Sequence, residues 1–277
     1  MSKFTKAAVI GHPVKHSKSP MIHQYWIEKY GFEGSYEAID IAPETLDDGI
    51  KKLVDDGYKG FNVTIPHKES LMAICDEISH NANVIGAVNT VTIEDGKLHG
   101  QNTDGFGFIH NILQNTGNFE FKGKRAAILG AGGATRAIAS ALIGEEIEQI
   151  VLLNRTKERA EKLAEDIAFV SDIIVVEDWE KRSAVLEGID LLVNATSLGM
   201  DGQHPLEIDL GALPETALVN DIVYSPLQTQ LLKDAQARDL HTVTGIGMLL
   251  HQARPAFKSW FGLLPDVTDE LTTMVSA

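Results

Sequence analysis

The stretch GFNVTIPHKES at residues 60–70 holds an amide, a hydroxyl and an amine close together, at Asn62, Thr64 and Lys68. Phe61, Val63 and Ile65 alternate with the polar pair, so the spacing predicts a strand with one apolar and one polar face. From Pro66 the pattern predicts a helix, with Lys68 in its first turn. That end of a helix carries partial positive charge, which disfavours an ammonium. Partial desolvation in a cleft disfavours it further. An amine held this way is suited to proton transfer. The plainer reading is a surface lysine in an ion pair.

Two other stretches could grip anions. In HSKSP (16–20), Ser17 and Ser19 precede a predicted helix with Ser19 at its N-cap and Pro20 at N1. Hydroxyls and free N–H groups there suit a carboxylate. Capping accounts for Ser19, whereas Ser17 has no such structural duty. In RAAILGAGGATRA (125–137) a strand, a glycine turn and a helix start follow in order. Gly130 allows the tight turn and Gly132 lets backbone approach a pyrophosphate, while Thr135 stands where the fingerprint has a third glycine. The next strand ends at Asn154, where a ribose contact is expected. An acid there would favour NAD. The chain instead has Asn154-Arg155-Thr156, then Lys157 and Arg159, and a guanidinium can grip a 2′-phosphate. The expected cofactor is therefore NADP. For Lys157 a solvated helix start is an equal explanation. LLVNATSLGM (191–200) ends a later strand with Asn194, Thr196 and Ser197 and is read as flanking the cofactor.

The elements that must carry these groups alternate almost from end to end. Strands are expected at AAVIG, YEAIDI and GFNVTI, with helices at SPMIHQYWIEKYG and PETLDDGIKKLVDDG between them. This rhythm predicts a parallel sheet covered by helices. Asp95-Gly96, between two alternating runs, predicts a hairpin and so a mixed sheet. After the polar stretch QNTGNFEFKGK at 114–124 a second βα series begins. Two βα assemblies joined near residue 105 are expected, with the ligand between them. Pro255, inside GMLLHQARPAFKSW, predicts a kink.

The chain has 277 residues, 24 Lys and Arg against 39 Asp and Glu, and a net charge of −15. That balance argues against nucleic acid and anionic membranes as partners and leaves small anionic ligands open. Cys75 is the only cysteine, so no internal disulfide forms. The apolar run after Met1 stops at Gly11, too short for a signal peptide, and no apolar stretch is long enough to span a bilayer. A cytoplasmic protein is expected. The histidines show no metal-ligand spacing, and no metal is expected.

Taken in order, HSKSP, NVTIPHK, AVNT, NTDG, GAGGATRA, NRT, NATSLGM, VYSP and GMLLHQA resemble the shikimate dehydrogenase family over nearly the full chain. The resemblance implies a two-domain α/β protein. Residues 1–104, with a mixed sheet, form a substrate domain completed by C-terminal helices at 246–277; a Rossmann-like NADP domain at 105–245 is inserted. It implies reversible reduction of 3-dehydroshikimate to shikimate by NADPH. It makes Lys68 and Asp104 the catalytic pair, Ser17 and Ser19 carboxylate-binding serines, and Tyr224 their neighbour. Thr64, Asn89 and Gln252 match contacts to the ring hydroxyls and the reacting oxygen. Gly130, Ala131, Gly132, Gly133, Ala134, Asn154, Arg155, Thr156, Arg159, Ile222 and Gly245 match cofactor positions. Asp104 would restore the ammonium that the helix end disfavours and fix its place, and could also cap the following helix.

Gln230, Ile246 and Pro255 depart from the family's pattern, and none falls on the catalytic pair. A homodimer is compatible with this reading. Use of quinate or of NAD is the first alternative. A non-catalytic shikimate or NADP sensor is the second, and it predicts loss of Lys68 or Asp104, both of which are present. A folate-type dehydrogenase is disfavoured by HSKSP.

Overall fold

The computed structural model describes residues 4–117 and 119–277. The chain divides into two compact α/β units. One comprises the residues up to Asp104 together with Leu250–Ala277, and the other is Gly105–Leu249.

The first unit begins with β1 (Thr5–Gly11), α1 (Ser19–Lys29), β2 (Gly34–Asp40), α2 (Leu46–Asp55) and β3 (Gly60–Val63). Then come α3 (Leu71–Ile74), β4 (Glu77–Ile78), α4 (His80–Ile85), β5 (Thr90–Glu94) and β6 (Lys97–Gln101). Its sheet runs β2-β1-β3-β5-β6-β4. β1 pairs in parallel with β2 and β3, while β5 is antiparallel to both β3 and β6. The antiparallel step comes from the Asp95-Gly96 turn. Both residues have positive φ, 50° and 79°, and such turns follow the twist of a two-residue hairpin.

α5 (Asp104–Thr116) opens at the boundary of the second unit. β7 (Arg125–Leu129), α6 (Gly133–Gly144), β8 (Gln149–Asn154), α7 (Lys157–Ile167) and β9 (Ile174–Asp178) follow. β10 (Leu191–Asn194), β11 (Leu218–Asp221), α8 (Gln230–Gln236) and β12 (His241–Val243) complete its sheet, ordered β12-β11-β10-β7-β8-β9 with every pair parallel. Parallel sheets are covered on both faces, so their strands read as continuous apolar runs. In β7, Ala126 and Ile128 join a core with Phe108, Ile138 and Leu142, while Ala127 and Leu129 join another with Val219, Leu231 and Leu232. The strand period of two thus divides one apolar run between two cores.

The chain ends with α9 (Ile246–Phe261) and α10 (Asp269–Ser276). Pro255 lies inside α9, which continues across it. The ring removes one backbone donor without ending the helix. In the first unit, α1 and α9 bring Trp26, Phe257 and Trp260 around His23 and Tyr36. Trp260 Nε1 donates to the Val91 carbonyl at 3.1 Å, so a C-terminal helix is bonded to a strand of the early sheet. Among the described residues, no helix is long and apolar enough to cross a membrane.

Gly60 is the point of closest approach in this packing, because a Cβ there would collide with Trp260 Nε1 and the Val91 carbonyl. Gly60→Ala is expected to destabilise the protein by about 1–3 kcal/mol, as overpacked cores do, with a matching fall in the urea midpoint.

Candidate active site

The site in the first unit is built where strand ends meet. Ile10 and Val63 are partners in the β1–β3 register, so these two parallel strands end side by side. Val63 N donates to the Asn89 carbonyl at 2.8 Å, and Asn89 N to the Gln101 carbonyl at 3.1 Å. The segments leaving β1 and β3, the one entering β5 and the one leaving β6 therefore converge. They carry Ser17 and Ser19, Thr64 and Lys68, Asn89, and Asp104 respectively.

Two sequence expectations are corrected here. The helix expected from Pro66 starts at Leu71; residues 65–70 form turns and a bend. Lys68 therefore precedes a four-residue helix, and the helix-terminus effect expected on its ammonium does not apply. The loop is held by its own bonds. His67, buried, donates Nε2 to the Ile41 carbonyl at 2.6 Å, and Val88 N donates to the Lys68 carbonyl at 2.9 Å. Second, Lys18 is the N-cap of α1 and Ser19 its first residue. Ser17 does have a structural duty, since its Oγ accepts the Ser19 N–H at 3.3 Å.

Lys68 Nζ donates to Asp104 Oδ2 at 2.8 Å, and the other carboxylate oxygen accepts Asn89 Nδ2, also at 2.8 Å. The Asp104 side chain is 13% exposed and that of Lys68 33%, so the amine keeps a face free. Asp104 N donates to Asn102 Oδ1 at 3.0 Å. Asn89 Oδ1 accepts from Thr103 N at 2.9 Å, Thr103 Oγ1 at 3.1 Å and Thr90 Oγ1 at 3.0 Å. The amide cannot flip without losing all three, which keeps Nδ2 aimed at Asp104.

A further layer lies behind. Asn62 is buried; its Nδ2 donates to the Asn89 carbonyl at 3.2 Å and to Thr90 Oγ1 at 3.0 Å, and its Oδ1 accepts the Tyr36 hydroxyl at 2.7 Å. Burial pushes the Tyr36 phenol well above its ordinary pKa, so it stays a donor. His23 stacks on Tyr36 with centroids 4.0 Å apart, and burial pushes its pKa down to about 3, leaving it neutral. Sequence reading gave no role to Tyr36, Asn102 or Thr103, and weighed His67 only as a metal ligand. The motif NTDG carried the signal for Asn102 and Thr103.

Asp40, at the end of β2, ties down the serine loop. His12 Nδ1 donates to its Oδ1 at 2.6 Å and Val14 N to its Oδ2 at 3.2 Å. The His12 hydrogen bond holds the Asp40 carboxyl below its usual range. His12 N also donates to the Ile65 carbonyl at 3.0 Å, joining the serine loop to the lysine loop.

In the second unit, Gly130 ends β7 with φ 111°, and a Cβ there would lie 2.8 Å from the Ala195 carbonyl oxygen. Gly132 and Gly133 differ. A Cβ on either would meet nothing of the protein within 4 Å, so the fold itself does not require glycine there. Space left open at the start of α6 fits a pyrophosphate approaching backbone. Thr135, in place of the third glycine, is buried and accepts the Gly132 N–H at 3.3 Å, which closes the turn. At the end of β8, Lys157 pairs with Asp178 at 2.6 Å, whereas Arg155 and Arg159 are exposed and form no ion pair among the described residues. Gly245 packs against the Ile222 backbone so closely that a Cβ would collide with it.

Two known families match separate parts of the chain. The family described as shikimate dehydrogenase substrate binding domain matches residues 9–91, and that described as shikimate / quinate 5-dehydrogenase matches residues 112–200. The NADP(+) shikimate dehydrogenase of Paramagnetospirillum magneticum is 48% identical over 97% of this chain and 97% of its own.

The chain belongs to the shikimate dehydrogenase family.

The shikimate 5-dehydrogenase of Thermus thermophilus, solved in complex with NADP(H) and shikimate, is 39% identical with a TM-score of 0.84, covering 98% of each chain. A 5-ketofructose reductase of Gluconobacter has a TM-score of 0.91 at 31% identity, covering 99% of this chain and 98% of its own. The fold alone therefore does not select a substrate. Of the family positions carried over, Asp104 contacts both Lys68 and Asn89, Ser17 and Thr64 lie on the adjoining loops, and Ser19 opens α1. Gln252 is on α9 in the same unit; Tyr224, 40% exposed, follows β11 in the other.

The Tyr36 hydroxyl donates to the buried Asn62 Oδ1 at 2.7 Å. Tyr36→Phe is expected to leave that buried acceptor unpaired and to lower stability by about 1–3 kcal/mol in urea denaturation.

Proposed function

We propose that this chain is an NADP-dependent shikimate dehydrogenase, reversibly reducing 3-dehydroshikimate to shikimate, with Lys68 and Asp104 as its catalytic pair. The observation that carries this reading is the 2.8 Å contact between Lys68 Nζ and a carboxylate whose other oxygen is already bonded to Asn89. When bound, the cofactor supplies a hydride to the carbonyl carbon. The oxygen then gains charge, and Lys68 gives it a proton to form the hydroxyl. In the reverse direction Lys68 removes that proton. Asp104 holds the amine in place, while Asn89 keeps Asp104 from turning. Asn89 and Thr64 are proposed to contact the ring hydroxyls, with Gln252 near the reacting oxygen. Ser17, Ser19 and Tyr224 are assigned to the carboxylate.

Cofactor binding is assigned to the second unit. The open turn Gly130–Ala134 takes the pyrophosphate, with Ile222 and Gly245 further along the sheet. The 2′-phosphate is assigned to Arg155, with Arg159, Asn154 and Thr156 around it. Lys157 is left out, because Asp178 already holds it. A cytoplasmic location suits a chain with a single cysteine, since no internal disulfide asks for an oxidising compartment.

The deciding assay follows absorbance of the reduced nicotinamide with shikimate and NADP, then with quinate or NAD in place of each. Shikimate with NADP should give the highest kcat/KM; a faster reaction with quinate would overturn the substrate assignment. Lys68→Ala should lower kcat by about 10²–10⁴-fold and change KM for shikimate far less, the pattern of a lost general acid and base. Arg155→Ala should reduce the preference for NADP over NAD by about tenfold or more, measured as the ratio of kcat/KM values, because a charge-assisted bond to the 2′-phosphate is removed.

A further inference from the structure

The order of the second sheet says which way a dinucleotide must lie. The glycine turn ends β7, and β8, with Asn154-Arg155-Thr156 at its end, is the neighbour on one side. On the other side come β10 and then β11. With the pyrophosphate at β7 and the adenosine ribose at β8, the nicotinamide half runs toward the ends of β10 and β11. Strands lie ~4.8 Å apart, so the end of β11 is about 10 Å from that of β7.

The last residue of β11 is Asp221, which is fully buried. Its Oδ1 accepts from Asn194 Nδ2 at 3.0 Å and from Val223 N at 3.0 Å, and its Oδ2 accepts Thr229 Oγ1 at 2.7 Å. Burial pushes this carboxyl up from its ordinary value, while the Thr229, Val223 and Asn194 donors favour the ionised form. No lysine, arginine or histidine forms an ion pair with it among the described residues. A buried carboxylate without a cation is unusual, because its desolvation is normally offset by a countercharge. The proton-transfer chemistry of the first unit makes no use of it.

The oxidised nicotinamide ring carries a positive charge and the reduced ring none. We infer that Asp221 is a specificity-determining residue for the redox state of the cofactor: its buried negative charge, at the strand end the nicotinamide half approaches, favours the oxidised form over the reduced. This rests on the assignment of NADP to the second unit. The charge acts through space, in an interior where fields are screened less than in water. It therefore needs no contact with the ring.

The test is binding, not turnover. Dissociation constants for NADP+ by calorimetry and for NADPH by its fluorescence are compared in wild type and Asp221→Asn. Asparagine is nearly isosteric; its oxygen can accept from Asn194 and Val223, and its amide can donate to Thr229 Oγ1. The substitution thus removes the charge and keeps the same partners, with the bond to Thr229 reversed in direction. Asp221→Asn is expected to weaken NADP+ relative to NADPH by at least about threefold. Asp221→Glu, which keeps the charge but disturbs the loops, should retain a ratio near the wild-type one even if both affinities fall. Should Asp221→Asn not fold, Asp221→Ser supplies the neutral variant. If both affinities change by the same factor, or neither changes, the inference is overturned and NADP binding stands. If the wild-type protein binds neither form, the cofactor assignment falls and this inference with it.

Discussion

Asp104 divides one carboxylate between two donors, and the first unit is arranged around that division. One oxygen holds the Lys68 amine and the other the Asn89 amide. A carboxylate held by the lysine alone could rotate and take the amine with it. The Asn89 bond removes that freedom, and Asn89 is itself locked by three donors to its oxygen. Behind it, Asn62 and Tyr36 carry the same constraint into the core. Polar groups in that position must all be satisfied, because an unpaired one costs more than its bond contributes.

The two units fix their chemistry by different means. In the first, side chains from four segments meet at the ends of β1 and β3, and each segment is tied to the next by backbone bonds. In the second, the groups proposed to hold the cofactor are mostly the backbone itself, where Gly132 and Gly133 leave room. The first arrangement demands particular side chains at many positions. The second demands mainly the absence of them.

This difference decides what could be read from the sequence. The glycine turn, the parallel strands and the Asp95-Gly96 hairpin are local features, each carried by a few adjacent residues, and they are legible. The opening of α3 was misplaced because Pro66 looks like a helix start, whereas bonds from His67 to Ile41 and from Val88 to Lys68 hold the segment as turns. Those partners are distant in the chain and leave no local trace. Thr135 looked like a defect in the fingerprint and proves to be the turn's own cap. Tyr36 and Asp221 were hidden for a related reason. Each is a buried residue whose meaning comes from partners on other elements.

The first unit is closed by the end of the chain. Trp260 bonds to the Val91 carbonyl and packs over Gly60, and Trp26 Nε1 donates to the Asp266 carbonyl at 3.1 Å. Neither contact can form until the residues that follow the inserted unit have been synthesised. Domains are commonly completed in the order they leave the ribosome. Here the inserted unit is fully synthesised while the first unit still lacks most of α9 and all of α10, so the half that carries the lysine must wait, with an aromatic face uncovered, for Leu250–Ala277 to arrive.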